Sequence, residues 1–239
     1  MRRRLALALA IFATACTPAP TETSSPRSLE LVDGARGRSV PVIIYGTTGP
    51  ERPLAILFHG HGGAPDDYDY LAEALVERGF VVAAIDHELP GDGPLLYGDD
   101  IVRIRTPLWR QGADSALVAI RELRTRGLSD PGAPVVVVGH SHGGDIAMAM
   151  AAENPRLVRA AFSLDHARMP IPRRTQPRFC SIRASDTSAA PGVLPTAAEA
   201  RAHRIQITRT TNVTHAAMND SGSPEQHAQI VAALDRCLR

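Results

Sequence analysis

A chain of 239 residues with 44% hydrophobic content can bury one substantial core and is short for two full domains. The formal charge is +1, from 26 basic and 25 acidic residues with no basic block beyond the first few positions, which excludes the electrostatic footprint of a nucleic-acid partner. Every basic residue is arginine, a compositional bias that carries no functional message.

Arg2, Arg3 and Arg4 precede an apolar run over 5–12 and a small-residue run, Ala13-Thr14-Ala15, that ends on Cys16. Such a stretch is too short to span a bilayer as a mature helix and reads as an export signal. Pro, Thr, Ser and Glu dominate residues 17–28, the composition of a flexible tether. The arrangement resembles a bacterial lipoprotein signal. That resemblance implies a signal over 1–15, acylation of Cys16, a tether over 16–27 and a lipid anchor in the bacterial cell envelope, periplasmic or on the outer surface. The alternative is an ordinary secretory signal and a soluble secreted product. Residues 28–239 are then expected to form a single domain. Export favours a disulfide between Cys180 and Cys237, the alternative being two small buried hydrophobes.

From residue 28 onward, short β-rich runs alternate with helical patterns, the signature of a mainly parallel sheet covered on both faces. Runs at 29–32 and 40–45 lie close together and suit an antiparallel start. Further runs follow at 54–58, 81–85, 135–138, 160–164, 179–182 and 205–207, each apolar or β-branched. The expectation is an α/β fold with a central sheet of about eight strands flanked by helices. Tyr68, Leu71 and Leu75 repeat at helical spacing before Gly79, and Ala113, Ala116, Leu117 and Ile120 do so before Gly127. Thr196 with Glu199, and Ser223-Pro224 with Gln226, are capping-box patterns. The last helix should pack Ile230, Val231, Leu234 and Leu238 on the sheet. Residues 87–110, rich in Pro and Gly and holding the only Trp, read as a long irregular segment and a short lid.

Chemistry concentrates at Gly139-His140-Ser141-His142-Gly143, a G-x-S-x-G sequence. It follows the apolar run Pro134-Val135-Val136-Val137-Val138 and precedes a small-residue helix, which is the strand-turn-helix setting that exposes a nucleophilic serine. Ser141 is the expected nucleophile. A serine hydroxyl needs a positioned base, oriented by a carboxylate. His215 stands in a loop past the last predicted strand, whereas His203 ends a helix and His227 lies within one. Two carboxylates compete for the third role, Asp165 after one strand and Asp186 after the next; the later strand favours Asp186, with Asp165 as the alternative acid. The glycine-rich loop His59-Gly60-His61-Gly62-Gly63 suits oxyanion donors, through the backbone amides of His61 and of His142. Histidines at 59, 61, 140 and 142 invite a metal reading, but the glycine placement already has a hydrolytic explanation, so no metal is expected. No dinucleotide or phosphate-loop glycine pattern occurs, so no organic cofactor is expected either.

Three segments carry a wider likeness: Leu57-Phe58-His59-Gly60-His61-Gly62, residues 77–87 ending Ala83-Ala84-Ile85-Asp86-His87, and the elbow at 139–144. They resemble the branch of the α/β-hydrolases that includes platelet-activating-factor acetylhydrolase, bacterial cutinase and chlorophyllase-like, dienelactone-hydrolase-related esterases. The resemblance implies the α/β-hydrolase fold and serine carboxylic-ester hydrolysis of a small-molecule or polymeric ester through Ser141 and His215. It leaves both acids in play, since Leu164-Asp165 with Met169-Pro170 imitates the acetylhydrolases and Pro177 to Asp186 matches the cutinase spacing. A peptidase or thioesterase with the same triad, or a non-catalytic binding module on this fold, are the alternatives.

Overall fold

A computed structural model describes residues 25–239; the segment expected to be an export signal, residues 1–15, and Cys16 lie outside the described residues. Eight strands form one sheet: β1 (Arg27–Asp33), β2 (Arg38–Tyr45), β3 (Leu54–Phe58), β4 (Val81–Ile85), β5 (Val135–His140), β6 (Val158–Leu164), β7 (Arg178–Arg183) and β8 (Gln206–Arg209). Their order is β1-β2-β4-β3-β5-β6-β7-β8. β1 and β2 pair antiparallel, β2 is antiparallel to β4, and all later pairings are parallel. The parallel pairings require crossovers, which α1 to α4 supply except between β6 and β7, where residues 165–177 cross without a helix, while α5 follows the last strand. The helices are α1 (Asp69–Glu77), α2 (Ile101–Thr125), α3 (Ser141–Glu153), α4 (Ala197–His203) and α5 (Pro224–Leu238).

Strand side chains alternate between two faces, and the sheet feeds two separate cores accordingly. Leu54, Ile56 and Phe58 of β3, with Val135 and Val137 of β5, pack with Trp109, Ala113, Ala116 and Ile120 of α2 and Ile146 and Met150 of α3. Ala55, Leu57, Val136 and Val138 point the other way, against Leu71 and Leu75 of α1 and Ile230 and Leu234 of α5. Because both faces are covered, β3, β4 and the run Val135–Val138 are buried throughout, which is why they read as continuous apolar runs. Both predicted capping boxes form, at Thr196 and at Ser223. On α5 the buried stripe is Ile230, Ala233, Leu234 and Cys237, with Val231 and Leu238 only partly covered. Cys237 is joined to Cys180 of β7 by a disulfide.

One segment departs from expectation. The irregular stretch ends at residue 100, and α2 begins at Ile101, ten residues before Gln111. Asp100 caps it, its carboxylate accepting from the Arg103 amide. Buried Arg105, Trp109, Gly112 and Ala113 repeat at helical spacing. Pro107 disguised this start, for a proline inside a helix removes one backbone donor; burial of Trp109, only 1% exposed, outweighs that loss. Among the described residues no helix is long and apolar enough to cross a membrane.

Candidate active site

The carboxyl ends of the parallel strands meet at one edge of the sheet, and the residues with chemistry lie there. β5 turns into α3 at Ser141, whose φ of 52° falls in the left-handed region that a serine rarely adopts. The turn is tight enough that a Cβ on Gly139 would lie 2.2 Å from the Gly143 carbonyl oxygen, and one on Gly143 would lie 2.2 Å from that of His59. Only glycine fits at either place. The strand, the helix and the loop after β3 are thereby drawn together.

The Ser141 hydroxyl lies 3.0 Å from His215 Nε2. His215 Nδ1 lies 2.6 Å from Asp165 Oδ2. Asp165 directly follows β6, has a φ of 49° and is 1% exposed. Its carboxylate also accepts from the Ala184 amide at 3.1 Å and from the Thr187 hydroxyl, and pairs with the Arg183 guanidinium at 2.7 Å. Burial alone would raise its pKa, but the His215 and Thr187 hydrogen bonds, the Arg183 charge and the Ala184 amide together hold it below the ordinary carboxylate value.

Asp186 is placed differently from the expectation. Its side chain is exposed and Oδ1 accepts from the backbone N–H of His215 at 2.8 Å, so the carboxylate that faces the imidazole is that of Asp165. The physical reason lies in the strand ends. The Asp165 amide still bonds to Ile182 O of β7, which keeps the residue on the sheet edge beside the imidazole. Asp186 comes only after the Ser185 amide has turned to bond Val213 O, and so meets the main chain of the His215 loop.

Ser141, His142, His61, Asp165 and His215 line one cavity of about 370 Å³, with Arg105, Asp145 and Arg168 in its walls. The His142 amide opens α3, where first-turn N–H groups have no acceptor within the helix. The loop after β3 is held from two sides: the Gly60 amide donates to the Tyr68 hydroxyl at 3.0 Å, and the Gly62 amide donates to Glu88 Oε2 at 2.9 Å. Tyr68 in turn bonds His140 Nδ1 at 2.7 Å. Burial pushes the His140 imidazole down to about 3 and the Tyr68 hydroxyl up to about 12. Both groups are thus neutral and share one hydrogen bond, so Tyr68 ties the loop to the elbow.

The sequence reading missed Arg183, Thr187, Tyr68 and Glu88, none of which belongs to a motif. It also grouped four histidines at 59, 61, 140 and 142. The structure separates His140, which turns toward Tyr68 and lies 4.6 Å from the His215 ring, centroid to centroid. In its place His87, from the end of β4, stacks on His59 at 4.0 Å and lies 5.9 Å from His142.

With this geometry in view, comparisons with known proteins are informative. Residues 49–164 match the family model described as serine aminopeptidase, S33. The chain is similar to lipase LipV of Mycobacterium tuberculosis, 35% identical over 127 residues, which are 52% of this chain and 40% of that protein. It thus spans well under half of that relative's length. Among solved structures, a dienelactone hydrolase-like promiscuous phosphotriesterase from metagenomic libraries superposes with a TM-score of 0.66 at 18% identity, over 89% of this chain and 96% of that one. A ferulic acid esterase from Streptomyces cinnamoneus superposes with a TM-score of 0.64 at 20% identity, over 95% and 90%. What these likenesses share with the sheet order described above is the architecture, and by it the chain has the α/β-hydrolase fold.

Proposed function

We propose that the chain is a serine carboxylic-ester hydrolase in which Ser141, His215 and Asp165 act as the triad. The observation that carries this reading is the unbroken path from Ser141 Oγ to His215 Nε2 at 3.0 Å and from His215 Nδ1 to Asp165 Oδ2 at 2.6 Å. Ser141 Oγ attacks the ester carbonyl while its proton passes to His215 Nε2. Asp165, held ionised by its neighbours, accepts the Nδ1 hydrogen bond and stabilises the imidazolium. The backbone amides of His61 and His142 receive the oxyanion. The C–O bond then breaks, the alcohol leaves with the proton from Nε2, and water repeats the cycle on the acyl-enzyme.

The test follows short and long p-nitrophenyl esters with the wild type and with Ser141→Ala, beside fluorophosphonate labelling. Turnover and labelling that both vanish in Ser141→Ala support the reading. A wild type that neither turns over nor labels sinks it and leaves a binding module. The S33 match favours one second reading, an aminopeptidase with the same residues. Faster release from amino-acid p-nitroanilides than from the esters would select it.

The reading extends to the cell envelope. The Arg2 to Cys16 pattern supports anchoring through an acylated Cys16. Labelling with an alkyne fatty acid should mark the wild type and fail in Cys16→Ser; equal labelling of both rejects the anchor.

A further inference from the structure

Next to the proposed nucleophile lies a group of side chains that the hydrolytic chemistry does not use. His87 and Glu88 follow β4, and His142 follows Ser141 on α3. One ligand atom from each lies within 4.8 Å of the other two. Both imidazoles are more than nine-tenths buried, at 4% and 6% exposure. Neither ring nitrogen of His87 is hydrogen-bonded, the Ile85 carbonyl lying close to the ring without reaching hydrogen-bond geometry, and His142 Nδ1 has no partner. A buried imidazole nitrogen without a partner forfeits its hydration with nothing in return, at a cost of about 1–3 kcal/mol. Two buried imidazoles with such nitrogens, set beside a carboxylate, ask for an occupant.

We propose that His87, Glu88 and His142 form a binding site for a divalent transition-metal ion, zinc by preference, beside the catalytic serine. Two imidazoles and a carboxylate are a ligand set that zinc takes, whereas calcium and magnesium prefer oxygen alone. Zinc–ligand bonds of about 2.0–2.2 Å set tetrahedral ligand atoms about 3.4 Å apart, so the three side chains close by little more than about an ångström. Glu88 has capacity for this role. Oε2 accepts from the Gly62 amide at 2.9 Å, and Oε1 faces only the half-exposed His61 ring at 2.8 Å, a partner that can swing into solvent. His87, Glu88 and His142 also line a second cavity, of about 200 Å³, which leaves room for the water that completes a three-ligand site.

This proposal departs from the expectation that no metal binds, and the reason is tertiary. The histidines at 59, 61, 140 and 142 are not the ligand set; His87 and Glu88 reach the place from another strand.

The site is tested on the full chain carrying Cys16→Ser, which removes the thiol outside the disulfide, purified without a histidine tag. Zinc is titrated calorimetrically, and cobalt(II) is followed by its visible ligand-field bands. One zinc per chain is expected, together with cobalt bands characteristic of four- or five-coordination. His87→Phe keeps an aromatic ring on His59, and Glu88→Gln keeps an acceptor for Gly62. Each should weaken zinc at least about tenfold, the lower end of what losing even a supporting partner costs. Glu88→Gln serves alone if His87→Phe does not fold. His203→Gln, outside the group, and Ser141→Ala should bind as the wild type does, so the result stands apart from whether the chain hydrolyses esters. No stoichiometric zinc binding in the wild type, or undiminished binding in Glu88→Gln, overturns the site.

Discussion

Asp165 and Asp186 end neighbouring strands and both touch His215, yet their surroundings are opposite. Asp165 is 1% exposed, meets the imidazole at Nδ1, and is surrounded by Arg183, Thr187 and the Ala184 amide. Asp186 stands in solvent and meets only the His215 main chain, at 2.8 Å. The contrast shows what orienting a base requires. A carboxylate that steers an imidazole must stay ionised where water is excluded, and that takes a cation and several donors built around it. A carboxylate that shapes a loop needs one backbone N–H.

The sharpest way to break this comparison is to neutralise each acid in turn. Asp165→Asn should cost on the order of 10⁴ in kcat on an ester substrate, because an amide can present N–H to Nδ1 and fix the wrong tautomer. KM should change far less. If Asp186→Asn shows the larger loss instead, the roles assigned to the two acids are reversed.

Removing the cation that Asp165 faces comes next. Arg183 is 2% exposed, pairs with Asp165 at 2.7 Å and donates to His166 O at 2.6 Å. Arg183→Met leaves a buried carboxylate without its counter-ion and should lower unfolding stability by about 3–5 kcal/mol in a urea titration. The pH dependence should change with it. The folded pKa of Asp165 lies below its ordinary value, so its ionisation adds stability above that ordinary value, and the gain is lost as pH falls through the folded one. In Arg183→Met the folded value rises towards the ordinary one, so this gain should shrink and its loss should be complete at higher pH.

These two experiments also mark the boundary of what the sequence discloses. The turn at Ser141 was legible because its requirements are local: an apolar strand, glycines flanking Ser141, and a small-residue helix. The sheet was legible because buried parallel strands read as unbroken apolar runs. Which aspartate faces His215 depends on how β6 and β7 stagger and where each loop leaves the sheet edge. Nothing within a few residues of Asp165 or Asp186 encodes that. Arg183 looked like any strand-end arginine, and only the pairing of β6 with β7 sets it beside Asp165. The start of α2 was hidden by Pro107, whose local preference is overridden by burial of Trp109.

A third buried carboxylate sharpens the comparison from the other side. Asp145 is 2% exposed and accepts from the Arg168 and Met169 amides at 2.9 and 2.8 Å, but among the described residues it has no ion pair. Burial outweighs those bonds and pushes its pKa from 3.8 up to about 6. Its charge is therefore a penalty, absent below the ordinary value and complete above the raised one. Asp145→Asn keeps an acceptor for both amides and should stabilise the fold at pH 7–8 by up to roughly 3 kcal/mol. The gain should vanish below about pH 4. A variant that is less stable at pH 7 would show that Arg105 and Arg168, on the same cavity wall, already neutralise this carboxylate.

The smallest effect belongs to Asp186. The Asp186→Asn side chain can still accept from the His215 amide, so this variant should reduce kcat/KM by less than about tenfold, in keeping with a lost charge at an exposed backbone hydrogen bond. Asp186→Ala removes the acceptor altogether. The His215 loop should then open more often, seen as faster amide hydrogen exchange at His215 and its neighbours, while exchange in β6 and β7 stays unchanged. The decisive readout is the pairing of the two measurements. Activity that falls in step with loop exchange makes Asp186 a positioning residue acting through the His215 main chain, whereas activity that collapses with the loop still protected would mean that its carboxylate reaches the imidazole during turnover.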